Sequence, residues 1–142
     1  MASTESEIGA LLNARSDAIR TRDIDRLMSL FSPDVIYFDV VPPLRYAGSA
    51  ALRARLLDWF NRWKTSIGQE LRHVSIVAAG ELAAAHMLIR TSGTLKDGRE
   101  VGYWVRASDF CRRSDQRWSI THEHVSIPVD LVRGQPALDL VP

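Results

Sequence analysis

The stretch Val101–Pro128, VGYWVRASDFCRRSDQRWSITHEHVSIP, constrains the fold more than any other part of the chain. Tyr, Trp, Val, Ile and Thr dominate both of its arms, and such residues suit a pleated, half-buried surface. It reads as two long strands joined by a tight turn at Ser114-Asp115-Gln116. Polar groups sit among the apolar ones, which is unusual for a hairpin that only builds a core.

Side chains of a strand alternate between its faces. Trp104, Arg106, Ser108 and Phe110 therefore share one face of the first arm. On unbroken alternation, Trp118, Ile120, His122, His124 and Ser126 share one face of the second. The turn decides whether these two sets meet. A three-residue loop sets Arg113 opposite Arg117, Arg106 opposite His124 and Ser108 opposite His122; a two-residue loop puts the sets on opposite faces. The three-residue loop, a type I turn followed by a left-handed Gln116, is the reading adopted here. One face then carries an arginine, two histidines, two hydroxyls and two tryptophans, a mixture that suits a pocket wall.

The chain has 142 residues, enough for one domain (1–142) with a single core and a loop-like tail over 128–142. Its net charge of +1 offers no footprint for nucleic acid or an anionic membrane surface. No apolar run has the length of a membrane span, and MASTESE lacks the basic and apolar regions of a signal peptide. Cys111 is the one cysteine, which excludes an internal disulfide and fits a reducing cytoplasm.

Ahead of the hairpin the pattern is helical. Thr4-Glu5-Ser6-Glu7 matches a capping box, and Ile8, Leu11, Leu12, Ala18 and Ile19 form an apolar stripe reaching about Arg20. Asp23 can cap a second, short helix built on Ile24, Leu27, Met28 and Phe31, ended by Ser32-Pro33-Asp34. A strand follows over 35–40, then a turn at Pro42-Pro43 and a brief return strand near 44–46. Ser49 caps a third helix carrying Leu52, Leu56, Trp59, Phe60, Trp63 and Ile67, which Gly68 is placed to stop. Strands then cover about 70–79, 82–94, 100–112 and 117–127, with turns at Gly80-Glu81 and Lys96-Asp97-Gly98. Helices followed by a run of antiparallel strands argue an α+β fold, its helices covering one face of a curved sheet.

With the order helix–helix–strand–helix–four strands, the chain resembles the nuclear-transport-factor-two-like cone fold. Within that fold it is similar to the SnoaL-like, ketosteroid-isomerase-related proteins. FSPDVIYFDVVPPLRYAG resembles the segment after the second helix, SGTLKDGREVGYWVRAS the approach to the long hairpin, and RRSDQRWSITHEHVSIP the family's ending. The resemblance implies a cone of three helices on a strongly curved, mostly antiparallel sheet, with one pocket at its open end. It is weak for reaction, because one fold hosts many chemistries. In ketosteroid isomerases an aspartate after the first strand abstracts the substrate proton, and Asp39 stands at the matching place. The oxyanion-hole tyrosine of those enzymes has no counterpart here; Arg15 or a neighbour holds its position.

These residues give the following expectations. Asp39 is a general base, or else a strand-end aspartate capping a turn. His122 and His124 polarise or protonate a substrate oxygen, since imidazole titrates near neutral pH, or are satisfied within the sheet. Arg106 anchors a substrate carboxylate or carbonyl or pairs with Asp39 or Glu123, with Ser108 beside it. Tyr37, Trp59, Trp63 and Trp104 wall an apolar cavity, and His86 adds polar lining. No metal and no organic cofactor is required. The expected ligand is a small apolar or carbonyl-containing molecule, and the resemblance implies a homodimer through the sheet. An assembling or ligand-binding module without catalysis, and a cofactor-free hydrolase or cyclase, are the alternatives.

Overall fold

The computed structural model describes residues 2–142. Helices α1 (Thr4–Arg20), α2 (Ile24–Met28) and α3 (Ser49–Phe60) pack on one side of a six-stranded sheet. Its strands are β1 (Phe31–Phe38), β2 (Tyr46–Ala47), β3 (Gly68–Ala79), β4 (Leu82–Thr94), β5 (Glu100–Ser114) and β6 (Arg117–Ser126), in the order β2-β1-β6-β5-β4-β3. Only β1 and β6 run parallel; the other neighbours are antiparallel. The result is the α+β cone expected from the order of elements. The tail adds a small ribbon, β7 (Val129–Asp130) with β8 (Gln135–Pro136). Among the described residues no helix is long and apolar enough to cross a membrane.

The helix ends differ in detail from the sequence reading. Ser3, not Thr4, caps α1 by accepting from the Ser6 N–H at 3.1 Å. Glu7 is then free of the cap and accepts from the Trp118 indole N–H at 2.9 Å, tying α1 to β6. Asp23 caps α2 as expected. Ser49 is the first helical residue of α3 rather than its cap, and α3 ends at Phe60, well before Gly68, which opens β3. The apolar stripes nonetheless bury as their spacing dictates: Ile8, Leu11, Leu12, Ala18 and Ile19 from α1, and Leu52, Leu56 and Phe60 from α3.

Gly93 lets the sheet meet the segment after α3. A Cβ at this position would lie 2.8 Å from Thr65 Oγ1, 2.9 Å from Ser66 O and 3.0 Å from the Trp63 ring. Only glycine permits an approach that close.

The hairpin corrects the turn prediction. Its loop has two residues, Asp115 and Gln116, both left-handed (φ 51° and 62°), with Ser114 opposite Arg117. Left-handed residues at both central positions match the twist of the arms. A bulge then intervenes: Cys111 faces Ile120 but Phe110 faces His122, so Thr121 is an extra residue in β6. Its hydroxyl donates to Phe110 O at 3.1 Å. The bulge reverses the alternation of β6. Trp118 and Ile120 point inward before it; Glu123 and Val125 point inward after it. The expected polar set does gather on one face, but with Ser108 opposite His124 and Arg106 opposite Ser126, and that face is the outer one.

Candidate active site

The concave side of the sheet and the three helices enclose a cavity of about 490 Å³, within the ordinary range for small-molecule sites. Ile19, Leu27, Phe31, Leu56, Ile89, Val105 and Val125 make its apolar wall. Charged groups occur in two places, a floor and a mouth.

At the floor, Arg15 of α1 reaches β6 and pairs with Glu123 through two bonds, Nε to Oε1 at 2.6 Å and Nη2 to Oε2 at 2.8 Å. Both residues are buried, Glu123 completely. Asp109 of β5 stands directly across the ladder from Glu123 and is equally buried. Burial pushes the Asp109 carboxyl well above its ordinary range, and the adjacent Glu123 charge pushes it further than Arg15 can offset. Burial would raise Glu123 too, but the charge and hydrogen bonds of Arg15 prevail, and Glu123 is held low. Of the two carboxyls, Asp109 is thus the one that favours its proton and Glu123 the one that favours its charge. Burial, followed by the Glu123 charge, also raises the Tyr37 hydroxyl, which lies within reach of Glu123. Gln69 and Thr91 complete the floor, joined by a 3.0 Å bond.

At the mouth, Asp39 follows the end of β1. Its Oδ2 accepts from Arg55 Nε of α3 at 2.8 Å, and its Oδ1 accepts from the Val40 N–H at 2.6 Å. Its side chain is 9% exposed and that of Arg55 14%. Trp59, Tyr46 and Tyr103 flank the pair. Burial raises the Tyr103 hydroxyl, and the Asp39 charge adds to it. Asp58 and Arg62 complete the rim, 3.2 Å apart.

Of the expected site residues, Asp39, Tyr37 and Trp59 line this cavity. The others do not. His122 and His124 lie on the sheet's outer face against Phe38, at ring separations of 4.7 and 5.4 Å, because the Thr121 bulge turns them outward. His122 Nδ1 is 2.7 Å from Ile36 O. Arg106 is exposed and donates to Ser126 Oγ at 3.1 Å, pairing with neither Asp39 nor Glu123. Ser108 and His86 are exposed in neighbouring strands, and Trp104 lies under the Arg72 guanidinium on the same outer face. Trp63 is buried but packs beyond the cavity, edge-on to Trp59. Cys111 faces the core, and burial pushes its thiol up to about 12, which leaves no reactive thiolate at neutral pH.

Two residues carry the site that the sequence reading gave no such place. Arg55 shares the apolar stripe of α3 with Leu52, Leu56 and Trp59, so its spacing was the available signal. Glu123 was hidden between the two histidines; only a bulge at Thr121 turns it inward. Among the described residues no three His, Cys, Asp or Glu side chains gather as a metal site.

Comparison with known proteins gives a consistent picture. The family profile of the SnoaL-like domain matches residues 8–130. An NTF2-like protein of unknown function from Pseudomonas putida KT2440 superimposes with a TM-score of 0.89 at 30% identity, over 100% of both chains. A ketosteroid isomerase-like protein from Erwinia carotovora atroseptica SCRI1043 gives 0.76 at 17% identity, over 89% of this chain and 97% of that one. A candidate dehydratase of the NTF2-like family from Streptomyces avermitilis gives 0.75 at 19%, over 84% and 93%. No curated protein matches.

Proposed function

The chain belongs to the SnoaL-like domain family, within the NTF2-like superfamily, and on that premise we propose that its cavity binds a small, largely apolar carbonyl compound, with Asp39 as the base that removes a proton from it. One observation carries the reading: Asp39 and Arg55 form a 2.8 Å pair on the wall of an apolar hollow. In this reading an Asp39 oxygen takes a proton from the carbon next to the carbonyl. The C–H electron pair forms the enolate double bond, and the carbonyl π pair moves onto oxygen. Arg55 is fixed by Asp39 through Nε, so its terminal N–H groups stabilise that oxygen in a partly dried site. In a β,γ-unsaturated carbonyl compound the enolate is a dienolate, and return of the proton from Asp39 to its γ-carbon, with the carbonyl restored and the C=C moved into conjugation, completes an isomerisation. The ketosteroid isomerase-like and dehydratase-like neighbours support this class of chemistry.

The test is proton exchange. The full chain is incubated in D₂O with a panel of apolar ketones, and deuterium uptake at the α-carbon is followed by NMR. Uptake catalysed by the native protein and lost in a folded Asp39→Asn variant is expected. Retained exchange in that variant removes Asp39 from the role. Binding without exchange across the panel supports the alternative, a ligand-binding module.

The outer face of the sheet supports a second part of the proposal, a homodimer. It exposes Phe110 to 55%, and Phe38 and Trp104 are partly exposed on the same face. Sedimentation at micromolar concentration should give about twice the chain mass; a monomer rejects it.

A further inference from the structure

The chain beyond β6 forms an arm whose apolar residues stay out of its own core. β7 and β8 pair over two residue couples, closed by the Gly134 N–H on Asp130 O at 2.7 Å and the Ala137 N–H on Pro128 O at 2.8 Å. Asp130 Oδ1 accepts from the Val132 and Arg133 N–H groups and so shapes the turn between them. That turn lifts Leu131 and Val132 into water, 89% and 97% exposed. Val129, Leu138, Leu140 and Val141 are exposed as well, and Ile127 is the last residue of the chain packed on the core. A two-stranded ribbon of this size is marginal in water by itself. Six large apolar side chains exposed along one short segment mark a docking element.

Charge selects what this arm docks on. On the outer sheet face β4 and β5 set Arg90 opposite Trp104, Leu88 opposite Arg106 and Leu82 opposite Arg112. Arg90, Arg106 and Arg112 pair with no carboxylate among the described residues, and the nearby Glu70 is taken by Arg72 at 3.5 Å. Two such faces laid directly on each other oppose like charges. The arm carries the complement. Its Asp130 is tied to the turn and to Arg133, but Asp139 has no ion-pair partner among the described residues and stands between Leu138 and Leu140. The arm also starts at the border of this face, since Ser126, at the end of β6, accepts from Arg106. Resting on the homodimer reading, we propose that the arm, residues 129–141, of each copy docks on the outer sheet face of the other. Its leucines cover Phe110 and Leu82, and Asp139 enters among the unpaired arginines. The exchange is reciprocal, so each dimer holds two identical arm-to-face contacts.

The test is complementation between two full-length variants, read by sedimentation at micromolar concentration. The arm variant combines Leu138→Ser with Leu140→Ser; the face variant combines Arg90→Glu with Arg106→Glu. All four residues are exposed, so both variants keep the fold. Each variant alone should dimerise at least about tenfold more weakly than the native chain, because both of its contacts are damaged. A mixture of the two should associate at least about tenfold more tightly than either alone, because the mixed dimer regains one intact arm on one intact face. A native dimer that the arm variant leaves unweakened overturns the inference while the homodimer stands. Weakening by both variants with no gain on mixing also overturns it, since the arm then acts within its own chain. A native monomer overturns the homodimer and the inference together.

Discussion

The two faces of the β5–β6 hairpin carry similar residue types and treat them in opposite ways. On the inner face Asp109 and Glu123 are dry, adjacent and tied to Arg15. On the outer face Arg106, His124 and Ser108 meet water; Arg106 donates to Ser126 and the His124 ring lies against Phe38. A charge on the inner face exists only with a partner, because burial disfavours it otherwise. A charge on the outer face needs none. Polarity in a strand therefore says little about a pocket until the face is known, and here the face turns on a single residue, Thr121.

The largest effect that could break this contrast is on stability. Glu123→Ala leaves the Arg15 guanidinium buried without its counter-charge and should cost about 3–5 kcal/mol. His124→Ala, at the next position and on the opposite face of the pleat, should stay within about 0.5 kcal/mol. Urea unfolding of both variants measures the difference. Similar costs for the two would mean that Glu123 is not the dry half of an ion pair.

A second, smaller effect concerns pH, and it separates the two inner carboxyls from each other. Asp109 is raised in the folded state, so the stability it contributes is full below its unfolded value and is lost as pH rises through its folded value. Glu123 is lowered, so its contribution is present above its unfolded value and fades as pH falls through the folded one. Asp109→Asn imitates the protonated acid. It removes the loss that sets in above the unfolded aspartate value, so the variant should be more stable than the native protein near neutrality and its profile flatter toward alkaline pH, with the acid limb intact. Thermal unfolding between acid and alkaline pH reads this directly. An alkaline limb as steep as in the native protein would show that Asp109 is not the group holding the proton.

The difference between the faces also explains what could be seen in the sequence. The four long strands and the helical stripes came from periodicity and turn residues, which act locally, and the cone from the family resemblance. Asp39 came from the resemblance, which sets it at the place of the family's base after the first strand. The register of the hairpin did not follow, because two errors concealed each other. A two-residue turn and a one-residue bulge together keep the polar set on one face, as a three-residue turn would have done. Nothing local then distinguishes inside from outside. The alternation Trp118, Ile120, then Glu123, Val125 records the bulge, but it looks like an ordinary break in pattern. Arg55 was legible from its position on the α3 stripe; its pairing with Asp39 was not, since no local rule joins residues 39 and 55.

The smallest expected effect sharpens the contrast most for function. His122 and His124 look like catalytic residues in the sequence, as a His-Glu-His run beside an arginine and a serine. In the fold their rings contact Phe38, and His122 also contacts Phe110 at 5.2 Å, all on the side of the sheet away from the cavity. His122→Ala removes the contact to Ile36 O and should cost about 1 kcal/mol, while His124→Ala should cost less. Neither should alter ketone binding or α-proton exchange by more than about twofold, because no atom of either ring lines the site. Arg55→Met gives the opposite pattern: it frees the Asp39 carboxylate at the mouth and should lower exchange by about tenfold or more with the fold retained. If the double histidine variant abolishes exchange at unchanged stability and unchanged oligomeric state, the chemistry belongs to the outer face, and Asp39 with Arg55 is only a structural pair.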